Sequence, residues 1–329
     1  MSWRIGYTDD QLRRMTIRRI NALNIFLIGL SALCAFRFPL ETFLGAYAIL
    51  GPLHYLTEIS WLEQRQYFLP SKRWAWMLAA LTLVVFPVAY LIPDAPWIVV
   101  GAVLLAFFGS LLVSRERQRW VVAAAIAGIG VLFAAFFVSP FAAAILTAFI
   151  ILLPSIIHVS VFTGTFMLAG ALREKGRSGL LAFGVFLLCS VGLVFSGAFF
   201  PDWNVSRTLL PLYQRFVGMQ TILVQGIGTQ GVDTATLFYS PLGLGVMRFI
   251  GFAYLYHYLN WFSKTSIIQW HAVSKKRAGL IIVSWIATVV LYGVNYQIGL
   301  LALLFLSLLH VFLEFPLNWK TLAQISRLS

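Results

Sequence analysis

Two pairs of ionisable residues have the spacing needed for chemistry on one face of a helix. His54 precedes Glu58 by four residues, His310 precedes Glu314 by four, and both pairs lie near the end of an apolar run. Residues four apart in a helix lie one above the other, so each pair directs an imidazole and a carboxylate to the same side. Because ionisable side chains are costly at membrane depth, both pairs are candidate functional residues.

Two further histidines, His158 and His257, fall inside predicted apolar helices. With a rise of about 1.5 Å per residue, all four histidines are expected in the cytoplasmic third of a bilayer. Neutral imidazole and carboxylate groups are common ligands of iron, manganese and zinc. The sequence therefore predicts a metal centre inside a helical bundle. Its predicted ligands are His54, His158, His257, His310, Glu58 and Glu314, and the two glutamates are also the predicted catalytic proton acceptors.

The predicted helix that carries His257 has further polar residues on the same face. Asn260 and Lys264 follow His257 at spacings of three and four residues. We expect Asn260 to orient a ligand, and Lys264 to support the centre or to pair with a lipid phosphate. The fifth histidine, His271, lies beside Trp270 and a basic cluster, so we expect it in a loop or at the membrane interface.

A purely structural interpretation of the same residues is also open. An isolated histidine within a membrane helix commonly forms a hydrogen bond with a neighbouring helix. Glu58 and Glu314 could extend their carboxylates to interfacial arginines instead of binding a metal. Sequence alone does not choose between these interpretations.

The composition is that of a membrane protein. The 329 residues are 60% hydrophobic and 11% charged, and the mean hydropathy is +0.87. Successive apolar runs are long enough to cross about 30 Å of hydrocarbon and lack the alternation of barrel strands. We therefore predict an all-α, polytopic integral membrane helical bundle of about ten transmembrane helices. The net charge of +13 is divided among short basic clusters between the runs, which predicts cytoplasmic N- and C-termini and argues against nucleic acid as a partner.

The apolar runs divide the chain into five regions. Residues 1–19 are predicted to be a cytoplasmic basic amphipathic segment, 20–200 transmembrane helices 1–7, 201–236 an outer-side amphipathic or re-entrant segment, 237–316 transmembrane helices 8–10, and 317–329 a cytoplasmic tail. Thr8 is the predicted cap of the first helix. Arginines lead directly into the first span, so we expect no cleavable signal peptide. We expect the protein in a bacterial inner (plasma) membrane.

Missing motifs narrow the predicted function. The sequence has no Walker or Rossmann glycine loop, GxSxG elbow, CxxCH haem site or HExxH motif. Cys34 and Cys189 lie in predicted spans without a metal-ligand spacing, so we expect inert thiols. The leading prediction is an integral membrane metalloenzyme that oxidises or cleaves a lipid, isoprenoid or carotenoid-like substrate. Its predicted cofactor is a transition metal, with mono- or dinuclear non-haem iron favoured over zinc or manganese.

Two other functions fit the same residues. In a proton- or cation-coupled transporter or channel, the histidines and glutamates would carry protons or a cation. In a non-catalytic subunit of a membrane complex, they would contact a partner. The expected partners are membrane lipids and a hydrophobic small-molecule substrate.

Overall fold

The computed structural model describes residues 9–65, 72–91, 96–113, 119–174, 176–201, 205–228 and 233–328. Every regular element within these ranges is helical. The α-helices are α1 (Asp9–Arg37), α2 (Pro39–Gly45), α3 (Gly51–Gln64), α4 (Lys72–Leu91), α5 (Pro96–Val113), α6 (Arg119–Val138), α7 (Pro140–Leu152), α8 (Thr163–Glu174), α9 (Arg177–Phe199), α10 (Leu210–Tyr213), α11 (Val217–Ile227), α12 (Thr234–Tyr239), α13 (Pro241–Ser263), α14 (Thr265–Ile268), α15 (Lys275–Val294) and α16 (Tyr296–Leu328). A π-helical segment joins α2 to α3 (Ala46–Leu50), another joins α7 to α8 (Leu153–Phe162), and a 3₁₀ turn (Gln214–Phe216) joins α10 to α11.

Five helical stretches are long and apolar enough to cross a membrane, which is consistent with the predicted class of membrane protein. They are Met15–Arg37, Pro140–Glu174, Arg177–Phe199, Lys275–Val294 and Tyr296–Arg327. Shorter apolar helical stretches lie at Arg73–Val85, Trp97–Ser110 and Gly128–Val138. Much of the apolar surface of these helices is exposed, as expected where lipid rather than water is the neighbour.

The first and last helices of the described chain are longer than the transmembrane helices predicted there. Residues 9–19 of the predicted surface segment 1–19 and the first span form the single helix α1, whereas residues 1–8, including Thr8, lie outside the described residues. The last helix, α16, continues into the predicted tail 317–329 and ends at Leu328. Pro316 lies inside α16 without ending it, because packed membrane helices tolerate the loss of one backbone donor.

In the predicted outer-side segment 201–236, the regular elements of the described residues (201, 205–228 and 233–236) are short helical pieces. Its longest piece, α11, has 11 residues and therefore a length of roughly 17 Å, too short to span a bilayer. Gln220 of α11 is fully buried and donates from Nε2 to the carbonyls of Leu237 (2.7 Å) and Gly243 (3.1 Å). These bonds hold the short helices against the start of α13.

Helix α13 lies at the centre of the bundle, packed against α1, α2 and α9. Two glycines allow α9 and α13 to approach closely. A Cβ on Gly197 would lie 1.9 Å from the carbonyl oxygen of Pro241, and one on Gly245 would lie 1.9 Å from that of Val194. Backbone contact at these points fixes α13, and with it the position of His257.

A buried arginine joins α13 to two neighbouring helices. Arg248 is inaccessible to solvent, and its guanidinium donates to the carbonyls of Phe36 (3.2 Å) and Phe200 (3.2 Å) and to Ser196 Oγ (2.9 Å). Its Cζ atom lies 4.1 Å from the centre of the Phe36 ring, a cation–π distance. Arg248 therefore has a structural role at the end of the bundle remote from His257.

Candidate metal centre

Four of the five histidines meet at one point inside the bundle, as the sequence predicts. His54 comes from α3, His158 from the second π-helical segment, His257 from α13 and His310 from α16. Each offers one ring nitrogen such that all four nitrogens lie within 4.8 Å of one another. All four side chains are buried, with His257 the most exposed at 8%. The fifth histidine, His271, is exposed in the segment between α14 and α15 and stands apart from this group.

The nitrogen separations match those between ligands of one metal ion. His54 Nε2 lies 3.0 Å from His257 Nε2, and His158 Nε2 lies 3.1 Å from His310 Nε2. Metal–nitrogen bonds of about 2.0–2.1 Å place adjacent ligand nitrogens roughly 3.0–3.4 Å apart. The Nε2 atoms therefore face inward at a separation that one ion can bridge, and the Nδ1 atoms face outward.

Both π-helical segments lie beside a histidine of this group. His158 is within Leu153–Phe162, and His54 follows Ala46–Leu50 after a short interval that includes Pro52. Pro154, near the start of the longer segment, removes a backbone donor. A π-helical turn shifts the residues after it around the helix axis, which re-aims side chains and is frequent at functional sites. This shift is a feature that a regular 3.6-residue pattern does not predict.

Glu58 lies on the inward side of the histidine group. Its Oε2 atom is 3.1 Å from His54 Nε2, so the predicted i, i+4 contact is present. This separation equals those between the facing imidazole nitrogens, and it involves the same inward atom of His54. Glu58 thus has the position of a further ligand.

Glu314 lies on the outward side, where the sequence does not place it. Its Oε2 atom is 3.0 Å from His158 Nδ1, on another helix, rather than beside His310 on its own helix. The contact lacks hydrogen-bond alignment, and both atoms are buried without another partner among the described residues. With His158 Nε2 directed at the centre, Glu314 has the position of a carboxylate behind a metal-bound imidazole.

Sequence reasoning missed Thr163, which supports His257 in the same way. Thr163 Oγ1 lies 2.8 Å from His257 Nδ1, and both side chains are buried. A threonine in an apolar helix usually bonds to a carbonyl of its own helix, as Thr165 does with Phe162 (2.8 Å), so its residue type gives no signal. The contact fixes the orientation of the His257 ring with Nε2 toward the centre.

Two tyrosines, which the sequence also did not single out, support the group from its other side. The Tyr55 ring stacks on the His310 ring, with centroids 4.2 Å apart and an interplanar angle of 23°. Tyr55 and Tyr258 share a hydrogen bond of 2.7 Å between their hydroxyl groups. This stack holds the His310 imidazole in place without a hydrogen bond to it.

A cavity of about 210 Å³ leads to the histidine group. His54, His257, Glu58 and Glu314 line its inner part. The predicted supporting residues Asn260 and Lys264 also line it, near the end of α13, and Asn260 Oδ1 accepts a hydrogen bond from the Tyr256 hydroxyl (3.5 Å). Lys264 follows the end of α13, and desolvation lowers the pKa of its ammonium group to about 8. Trp61 and Trp261 complete an aromatic wall, with ring centroids 5.6 Å apart.

The two cysteines lie away from the centre. Cys34 of α1 and Cys189 of α9 are both free and partly buried, and neither belongs to the histidine group. The candidate ligands within the described residues are therefore imidazoles and carboxylates alone.

No protein-family model, no curated protein and no solved structure matches this chain. The interpretation of the centre consequently depends on its geometry and chemistry.

Proposed function

We propose that the histidine group binds a single transition-metal ion. The observation that carries this proposal is the convergence of four buried ring nitrogens, from four separate helical segments, to within 4.8 Å. Four nitrogens within 4.8 Å of one another can all bond to one ion, because metal–nitrogen bonds of about 2.0–2.1 Å place the ligand nitrogens of a single ion at such separations. His54, His158, His257 and His310 are the proposed ligands, with Glu58 completing the set.

The charge around the centre also favours a bound cation. Glu58 and Glu314 are 3% and 2% exposed. The Glu58 carboxylate contacts the His54 imidazole, and the Glu314 carboxylate contacts that of His158. Burying a carboxylate without a compensating positive charge is costly. A divalent ion among the four imidazoles neutralises both carboxylates at once.

The ligand chemistry limits the metal to a few candidates. Imidazole and carboxylate suit iron, manganese and zinc, whereas copper(I) and iron–sulfur clusters select thiolates or thioethers. Among these we propose non-haem iron, because imidazole–carboxylate sites with open positions are typical of iron(II) oxygenases. The bound ion would supply the redox chemistry of the reaction. In the chain, the imidazoles fix the ion, and Thr163 and Glu314 orient two of them.

The proposed activity is a membrane-bound oxidoreductase acting on an apolar substrate. The centre is buried, and His158 and His310 lie in helical stretches long and apolar enough to cross a bilayer, so substrates dissolved in lipid are the ones near it. The cavity of about 210 Å³ is smaller than the roughly 300–1,000 Å³ of sites that enclose a whole drug-sized ligand. A lipid, isoprenoid or carotenoid-like chain would therefore insert only its reacting portion, with Asn260 and Lys264 contacting polar groups at the mouth. Glu58 is the proposed proton acceptor nearest the ion.

We further propose the topology indicated by the charge pattern: ten crossings, cytoplasmic termini and a bacterial inner membrane. The basic clusters in the first part of α1 and at the start of α15 support it. Single cysteines introduced at Arg18 and at Phe141 test it, using a thiol reagent that does not cross membranes. Labelling of Arg18→Cys from the outside of intact cells would contradict the proposed orientation.

Metal analysis of the purified protein tests the central proposal. We expect about one transition-metal ion per chain, lost in His257→Ala and retained in His271→Ala, which removes the one histidine outside the group. A chain without stoichiometric metal, or equal metal contents in the two variants, would contradict the proposal.

Transport of protons or cations is the alternative that one observation favours, because π-helical segments interrupt two of the helices that carry ligands. Proton flux into proteoliposomes, measured with a pH-sensitive dye, distinguishes transport from the proposed enzyme activity. If the metal-free protein carries a proton flux that His257→Ala abolishes, transport would be the function and the enzyme proposal would be wrong. Metal-dependent consumption of oxygen on addition of a carotenoid or an unsaturated fatty acid, without proton flux, would support the enzyme proposal.

A further inference from the structure

A second and larger cavity lies outside the metal centre, between the first part of α1 and the segment that follows α13. Its volume is about 850 Å³, and it is open to the surroundings. Arg19, Ile20 and Leu23 of α1 form one wall. The opposite wall comes from the end of α13 and the segment after it: Phe262, Ser263, Thr265, Ser266, Gln269, His271 and Ala272.

The polar lining of this cavity is suited to an anion. Among the described residues that line it, Arg19 and His271 are ionisable and none is a carboxylate. Ser266 brings a hydroxyl group and Gln269 an amide, both of which can donate hydrogen bonds, whereas the Thr265 hydroxyl donates to the Phe262 carbonyl. A guanidinium together with several neutral donors is the set that recognises phosphate oxygens.

The apolar lining places this cavity at the edge of a membrane. Ile20 and Leu23 lie in the first turns of the apolar stretch Met15–Arg37, and Arg19 lies just before them. Leu23 is 42% exposed, and Ile267, which follows the lining residues Thr265 and Ser266 in α14, is 51% exposed. The cavity therefore has a cationic end beside an apolar end, at the depth where lipid headgroups meet acyl chains.

We infer that this cavity binds a phosphate ester, with the phosphate held by Arg19 and His271 and an attached apolar chain lying along Ile20 and Leu23. The inference does not depend on metal in the histidine group, because none of the candidate ligands lines this cavity. Two sources share the chemistry, namely the headgroup of an anionic phospholipid and a soluble phosphate. Lys264, for which the sequence suggested a lipid phosphate, lines the metal cavity instead, while its neighbours Ser263 and Thr265 line this one.

The inference is tested with the full-length protein in phosphatidylcholine nanodiscs and spin-labelled phosphatidylglycerol as the probe. We expect a saturable fraction of immobilised probe that weakens about tenfold in Arg19→Gln, equivalent to about 1.4 kcal/mol. Arg18→Gln is the matched control, because Arg18 is an exposed arginine in the same turn that does not line the cavity. Arg19→Lys keeps the charge and is expected to recover most of the binding.

The competing outcomes are distinct. Displacement of the probe by millimolar inorganic phosphate or glycerol 3-phosphate would identify a soluble phosphate as the ligand. If neither compound displaces the probe, the ligand is the lipid headgroup. Equal weakening in Arg18→Gln and Arg19→Gln would overturn the inference, since the binding would then reflect general surface charge. Helical circular dichroism checks that each variant is folded, and His271→Gln gives an independent second variant.

Discussion

Replacing Thr163 by valine tests whether the geometry around His257 serves a metal. Valine has nearly the shape of threonine, so the change removes only the hydroxyl that contacts His257 Nδ1 at 2.8 Å. A buried donor left without a partner costs about 1–3 kcal/mol. Loss of a group that orients a metal-bound histidine typically costs about 10–100-fold in metal affinity, or ~1.4–2.7 kcal/mol. The second range is the one that concerns the metal, so we expect Thr163→Val to weaken metal binding by at least tenfold.

The assay is competition between the purified protein and a chromogenic chelator, with the metal as the exchanged ligand. Thr165→Val is the matched control, because Thr165 lies in the same helix but bonds to the carbonyl of Phe162 at 2.8 Å. Thr163→Ser keeps the hydroxyl and should remain within a few-fold of the unaltered protein. If Thr163→Val binds metal as tightly as Thr165→Val does, the proposed support of the His257 ring is wrong.

Three further predictions follow from particular contacts. Glu58→Gln should lose more metal affinity than Glu314→Gln, because the Glu58 carboxylate lies 3.1 Å from the inward nitrogen of His54 whereas Glu314 contacts an outward nitrogen; chelator competition measures both, and the reverse order would refute the assigned positions. Gly197→Ala should prevent stable folding, since its Cβ would lie 1.9 Å from a backbone oxygen of α13, while Gly192→Ala in the same helix meets nothing within 4 Å and should change the melting temperature little; equal melting temperatures would contradict the close packing. Gly51→Ala should cost about 1–3 kcal/mol of stability, because its Cβ would lie 3.0 Å from the Tyr55 hydroxyl and disturb the pair with Tyr258; a denaturation midpoint unchanged by the substitution would count against that arrangement.

The class of fold could be predicted from composition and apolar run length. Runs of about 20 apolar residues have few alternatives to helices in a membrane, because backbone groups must be satisfied internally. The exact helix limits could not be predicted, since they depend on packing. Pro316 illustrates this, because proline normally ends a helix but here lies inside α16.

The convergence of the histidines could be predicted from their depth, but not their pairing. His54 faces His257, and His158 faces His310, on helices that are far apart in sequence. The π-helical segment around His158 changes the direction of the residues after Pro154, and no periodic pattern reports such a shift. The partner of Glu314 was therefore predicted on its own helix, whereas the structure places its carboxylate beside His158.

The role of Thr163 could not be predicted either, because one hydroxyl within an apolar run has the same appearance in sequence whether it bonds to its own helix or to a neighbour. Its contact with His257 arises from the packing of the second π-helical segment, which ends just before Thr163, against α13. Asn260 and Lys264, by contrast, have the predicted helical spacing from His257 and do line the same cavity.

The most direct test of the metal centre is X-ray absorption spectroscopy of the purified protein at the edge of its bound metal. We expect about four imidazole nitrogens at roughly 2.0–2.2 Å, with the multiple scattering typical of histidine rings. The imidazole signal should decrease in His257→Ala and remain unchanged in His271→Ala. A coordination shell of oxygen atoms without imidazole scattering would contradict the assignment of the four histidines as ligands.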